Sequence, residues 1–170
     1  MLQQPMLEAI NRQINAELYS AYLYLSMSSR FSALGLSGGA NWMRVQAQEE
    51  MTHAARFYDH VVERNGEVKL TAIEEPPSVW PTAPAMFEDA LDHERKVTGM
   101  IDALADLALE LKDHASHNML QWFIAEQVEE EASAEDMIQK LRLTEGAPGG
   151  LFQLDNEMAA RVFVPPTPAN

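Results

Sequence analysis

The sequence predicts an all-α fold: a four-helix bundle with one long crossover between its second and third helices and a short fifth helix at the C-terminal end. Three observations predict it. Apolar residues recur at steps of three and four through four long segments. Glycine or proline clusters break the chain after the first, second and fourth segments, and a short break at Asp113 to Ser116 separates the third from the fourth. The connections run short, long, short, and that pattern sets which helices lie antiparallel.

The first helix is expected over about residues 6–34, where Met6, Ile10, Ile14, Glu17, Ala21, Tyr24, Ser28 and Phe31 form one stripe. Gly35-Leu36-Ser37-Gly38-Gly39 reads as a break. A second helix is expected over about 40–65, with Trp42, Gln46, Glu50, His53 and Phe57 aligned and Asn65-Gly66 as its stop. The next stretch loses the period, and Pro76, Pro77, Pro81 and Pro84 forbid helix there. A third helix over about 85–112 carries Phe87, Leu91, Glu94, Ile101 and Ala105. A fourth over about 117–143 carries Met119, Phe123, Gln127, Glu130, Met137 and Leu141. Beyond Gly146, Pro148, Gly149 and Gly150, a short amphipathic helix over about 151–161 is expected, with Leu151, Leu154, Met158 and Val162 on one side. Residues 1–162 read as one domain, followed by a Pro-rich tail at 163–170.

Helices of about 26 residues are roughly 39 Å long. Connections of about four or five residues make the first pair and the last pair antiparallel neighbours. The middle connection, about 18 residues, can span roughly 60 Å when extended, enough to cross the bundle and start the third helix parallel to the second.

Composition narrows the function. The chain has 170 residues, 46% hydrophobic and 22% charged, and no cysteine. Disulfides, thiolate zinc sites, iron–sulfur clusters and cysteine nucleophiles are therefore excluded. The formal net charge of −14 is the reverse of a nucleic-acid footprint and attracts cations. No segment has the apolar length of a membrane span. The N-terminal MLQQPMLEAI has neither a basic cluster nor a long apolar run, so no signal peptide is expected, and the expected setting is the cytoplasm.

The chemistry lies in where the acids fall. Glu17, Glu50, Glu94 and Glu130 each interrupt the apolar stripe of a different long helix, near its middle. In this topology those positions meet at one level. Gathering four carboxylates in a core is very unfavourable, because each loses solvation and each raises its neighbours' pKa. His53, one turn from Glu50, is the only basic residue aligned with them. A bound multivalent metal would compensate directly. Several carboxylates with one imidazole suit iron or manganese better than zinc or copper. Glu50-x-x-His53 puts both side chains on one helix face. The fourth helix offers Gln127-Val128-Glu129-Glu130 instead of a second Glu-x-x-His, so the set is asymmetric. His60, His93, His114 and His117 are expected at the surface.

The stretches INAELYSAYLYLSMS, AQEEMTHAARFYDH and LQWFIAEQVEEE together resemble the bacterial non-haem ferritins, and the resemblance covers about residues 1–160. It implies the ferritin-like version of the bundle, assembled as a 24-subunit cage that takes up ferrous iron, oxidises it with dioxygen or peroxide, and stores ferric mineral. It implies two irons per subunit at a ferroxidase centre. Glu17, Glu50 and His53 would form one site. Glu50 would bridge to a second, completed by Glu94 and Glu130 with Gln127 nearby. Glu49, Glu126 and Glu129 match a third iron site that also draws on Glu130, and Tyr24 matches a tyrosine beside the centre that serves as an electron donor. The haem-binding relatives carry a second Glu-x-x-His where this chain has Gln127 and Glu130, so no haem is expected.

Two other readings compete. A di-iron oxidase or peroxidase of the same superfamily that stores no iron would use the same core. A plain helical interaction protein would keep all these acids in solvent.

Overall fold

The computed structural model describes residues 2–165. Five helices follow in order: α1 Gln4–Ala33, α2 Ser37–Glu63, α3 Ala83–Glu110, α4 His114–Thr144 and α5 Gly150–Ala159. The expected order and topology hold, with ends shifted by a few residues. The tail expected at 163–170 lies outside the described residues from 166 onward.

The ends of the helices carry the punctuation. Gly35 at φ 77° closes α1, and the Leu36 N–H donates back to the Phe31 carbonyl at 3.1 Å. Asn65 at φ 56° closes α2, with the Gly66 N–H donating to the Val61 carbonyl at 2.8 Å. Both are left-handed stops that satisfy orphan carbonyls. Of the break expected over residues 113–116, only Asp113 lies outside a helix; it is the N-cap of α4 and accepts from the Ser116 N–H at 3.2 Å. Burial alone would raise the Asp113 carboxyl, but hydrogen bonds from Arg64 and Ser116 hold it below the ordinary value.

Side-chain contacts fix the directions. Ser28 donates to the Ala40 carbonyl at 2.8 Å, so α1 ends where α2 begins. Between α2 and α4, Gln46 reaches Glu130 and Arg64 reaches Asp113, which makes that pair antiparallel. Arg95 to Glu135 and Arg142 to Glu88 do the same for α3 and α4. Hence α3 runs parallel to α2, as the long connection requires. That connection is laid along α1 in extended form. Asn11 donates to the Glu67 carbonyl and accepts from the Lys69 N–H; Asn15 holds Ala72, Ser26 holds Pro77 and Arg30 holds Trp80. Trp80 is buried, and its indole N–H donates to Asp89 at 2.9 Å.

The core forms two apolar clusters. One gathers Tyr24, Phe31, Trp42, Phe87, Met137 and Leu154. The other gathers Ile10, Phe57, Ile101, Leu120 and Phe123. In α4 the buried residue is Leu120, with Met119 only partly buried against the cluster.

Two further expectations are corrected. Gly38 and Gly39 are not a break but the first turn of α2. A Cβ on Gly38 would lie 1.6 Å from the Asp155 carbonyl oxygen, and one on Gly39 would lie 2.5 Å from the Phe31 ring. These glycines allow close packing there. The second concerns α5, whose buried face is Leu154, Asp155 and Met158. Leu151 and Val162 are exposed. Asp155 points inward because it caps α2, accepting the Gly39 N–H at 2.9 Å. Asn41 returns the favour at the other end, donating to the Met158, Ala159 and Arg161 carbonyls. Each helix thus satisfies orphan backbone groups of the other.

Candidate metal centre

The four stripe acids meet between the two apolar clusters. Glu17, Glu50 and Glu94 are 1–2% exposed, and Glu130 is 8% exposed. Ordinary glutamates are almost never this buried without a partner. One donor atom each from Glu17, Glu50 and His53 lie within 4.8 Å of one another. His53 Nδ1 is 3.4 Å from Glu50 Oε2. The imidazole is held edge-on to Trp122 and Phe123, which restricts its rotation. Helical spacing produces this set: Glu50 and His53 are one turn apart on α2, and Glu17 faces them from α1.

Neutral donors hold the carboxyls in place. Gln13, one turn before Glu17, donates to Glu17 Oε1 at 2.9 Å. Gln46, one turn before Glu50, donates to Glu130 Oε2 at 2.6 Å. Gln127 donates to Glu94 Oε2 at 3.2 Å, and the Tyr24 hydroxyl donates to Glu94 Oε1. Glu17 and Glu130 thus each accept on one oxygen, whereas Glu94 accepts on both. Glu17 Oε2 is buried without a hydrogen-bond partner. A buried acceptor of that kind costs free energy unless something occupies it.

Electrostatics follow from the crowding. Burial, then the Glu50 charge, pushes the Glu17 carboxyl up to about 8. Burial and the charge of Glu94 push Glu130 up to about 8. Glu50 stands well above the usual range through burial and the charges of Glu94 and Glu130. Glu94 is raised by burial, against the pull of the Tyr24 and Gln127 hydrogen bonds. Without a cation Glu17 and Glu130 keep their protons at neutral pH. A multivalent cation would displace those protons and satisfy the freed oxygens, so the donor set fits iron.

A second grouping adjoins the first. His53, Glu126 and Glu130 also place one donor atom each within 4.8 Å of one another. They open onto a groove of about 250 Å³ lined further by Glu49, Glu129, Trp122 and Arg161. Glu49 is largely buried, and burial raises its carboxyl despite Arg161 beside it. Burial raises Glu126 too. Glu129 is exposed at the groove's edge.

All ten residues singled out in the sequence therefore fall at the centre or along this groove. Several partners did not stand out there. Gln13 and Gln46 were legible in principle, since each lies four residues before a stripe glutamate. His93 was expected at the surface. Instead, its Nε2 and the Ser20 hydroxyl share a hydrogen bond of 2.7 Å, and burial lowers the imidazole to about 4. His60 is also buried, bonded to Ser116 at 2.9 Å.

Four helices that converge on a buried set of carboxyls and one imidazole define the class: a helical bundle with an interior donor set suited to metal. Comparison with known proteins gives the family. The ferritin-like domain matches residues 7–144. A bacterial non-haem ferritin of Bacteroides fragilis strain 638R is 42% identical over 161 residues, covering 95% of this chain and all of that protein. A bacterial non-haem ferritin of Escherichia coli O6:H1 is 35% identical over 159 residues, covering 94% of this chain and 96% of that one. Among solved structures, an open-pore ferritin from Archaeoglobus fulgidus is 54% identical, with a TM-score of 0.93 over 95% of this chain and all of the other. A form of that ferritin engineered to be closed has a TM-score of 0.95, covering 96% of this chain and all of the other, at the same identity. The chain belongs to the ferritin family.

Proposed function

We propose that this protein is an iron-storage ferritin of the bacterial non-haem type, acting as a ferroxidase in the cytoplasm and assembling as a 24-subunit shell. The observation that carries the reading is the buried Glu17–Glu50–His53 grouping facing Glu94 and Glu130, with Glu17 Oε2 lacking any partner. Ferrous iron is the substrate. Glu17, Glu50 and His53 hold one ion, and Glu50 bridges to a second held by Glu94 and Glu130. Gln127 orients Glu94 and completes the surroundings of the second ion. Dioxygen or peroxide accepts the electrons.

The protein's own part is positioning and proton handling. Carboxyls that are neutral before loading become anionic on binding, so protons leave as the ions enter. Gln13, Gln46 and Tyr24 keep the carboxyls aimed as their charge changes. Tyr24 is an electron donor to the centre, suited by its hydrogen bond to Glu94. Glu49, Glu126, Glu129 and Glu130 form a third, weaker iron site in the groove. An oxidase that stores no iron is the alternative. It shares the centre and differs only in what becomes of the product.

Oxidation kinetics test the centre. Ferrous iron added in air should be oxidised in a fast phase of about two ions per subunit. Glu50→Ala with His53→Ala should remove that phase; a double variant oxidising iron at the original rate would place the chemistry elsewhere.

A further inference from the structure

Arg161 lies just beyond α5, at the mouth of the groove, and it is fixed at both ends. Its backbone carbonyl accepts from the Asn41 side chain at 2.9 Å. Its guanidinium stacks over the Trp42 ring at 4.3 Å and donates to the Trp42 carbonyl at 3.5 Å. From that seat Nη2 donates to Glu49 Oε2 at 2.6 Å. Both side chains are about three-quarters buried, at 24% and 25% exposure. A guanidinium does not lose its proton in a protein, so this is a permanent positive charge tethered within reach of a metal donor. A metal ion at Glu49 would compete with the guanidinium for the same carboxylate, and a second cation beside that fixed charge is repelled.

We propose that Arg161 is a built-in competitor of the third cation site, a positioning residue that holds Glu49 until a metal ion displaces it. The inference rests on the reading of the groove as a cation site. Loading the groove then frees Arg161 from Glu49 and loosens the segment after α5. The tethered charge makes this site weaker than the core pair, so the core fills first. It also lets an ion leave the groove readily, since Arg161 returns to Glu49 behind it. A second consequence joins two parts of the molecule: the helix docked by Asp155 and Asn41 sets the position of the competing charge.

Zinc titration of the assembled, metal-free protein by calorimetry separates the possibilities, since zinc binds without being oxidised. Arg161→Gln should tighten the third, weaker zinc equivalent by about tenfold and leave the two core equivalents unchanged. Arg161→Lys keeps the charge and should stay close to the original protein. In a Glu49→Gln background, Arg161→Gln should have no further effect. A zinc-soaked crystal should show Arg161 withdrawn from Glu49. If Arg161→Gln binds the third zinc with unchanged affinity, or zinc occupies the groove with the 2.6 Å contact intact, Arg161 is only a clamp for the chain end and the proposal fails while the third site stands. If no protein in the series binds a third zinc, the groove is not a cation site and the proposal fails with it.

Discussion

On the proposed reading the central carboxyls give up protons as metal enters, and that exchange would set the pH behaviour. Glu17, raised from 4.5 to about 8, binds its proton more tightly in the folded protein than in the unfolded chain. Its contribution to the metal-free fold is therefore complete below about pH 4.5 and is lost as pH rises through about 8. Glu130 behaves in the same way. Thermal unfolding of the metal-free protein should show stability falling across that window, and saturating zinc should reverse the slope, because metal binds the ionised carboxyls. Calorimetry in buffers of different ionisation enthalpy at pH 7 should record more than one proton released per core zinc; no proton release would mean the carboxyls are already ionised. The four acids were legible in the sequence because a charge inside an apolar stripe breaks the rule that makes the stripe. Gln127 was read with them, but the holding roles of Gln13 and Gln46 were not, since an amide disturbs a stripe far less. His60 and His93 misled for a related reason. Each is drawn inward by a serine partner on another helix, His60 to burial and His93 part of the way, and no spacing within one helix announces such a pair.

Helices and turns were legible where a single stretch of chain decides them. The four long stripes, the Asn65 stop and the proline-rich crossover all belong to that kind. The second helix began earlier than expected because Gly38 and Gly39 serve another element, α5, whose docking is a tertiary fact. Gly38→Ala tests that docking. Its methyl group would overlap the Asp155 carbonyl oxygen, and backbone cannot step aside as a flexible side chain does. The amides of α5 should exchange with solvent at least tenfold faster in this variant, while the two core zinc equivalents bind as before. Unchanged protection would show that α2 and α5 separate more easily than their shared caps suggest. Arg161 escaped notice for the same reason as Gly38: its partners Trp42 and Glu49 are far away in sequence.

A single chain leaves apolar side chains facing outward, among them Tyr22 and Leu25 on α1 and Met51, Tyr58 and Val62 on α2. Surfaces of this kind in soluble proteins are usually covered by a partner, which supports a shell of identical subunits. Light scattering should report about 24 subunits, and a monomer at every concentration would remove the storage reading. Within one subunit, α1 packs chiefly on α2 and α3 on α4. The molecule is thus two hairpins, and the crossover that joins them is already tied down along α1 by side chains. Neither hairpin owns a complete centre: Glu17, Glu50 and His53 come from the first, Glu94, Gln127 and Glu130 from the second. On the proposed reading, an ion bridged by Glu50 would be a clasp as well as a cargo. A subunit nicked in its crossover would keep every donor, and on that reading the bound ion would rivet the halves together.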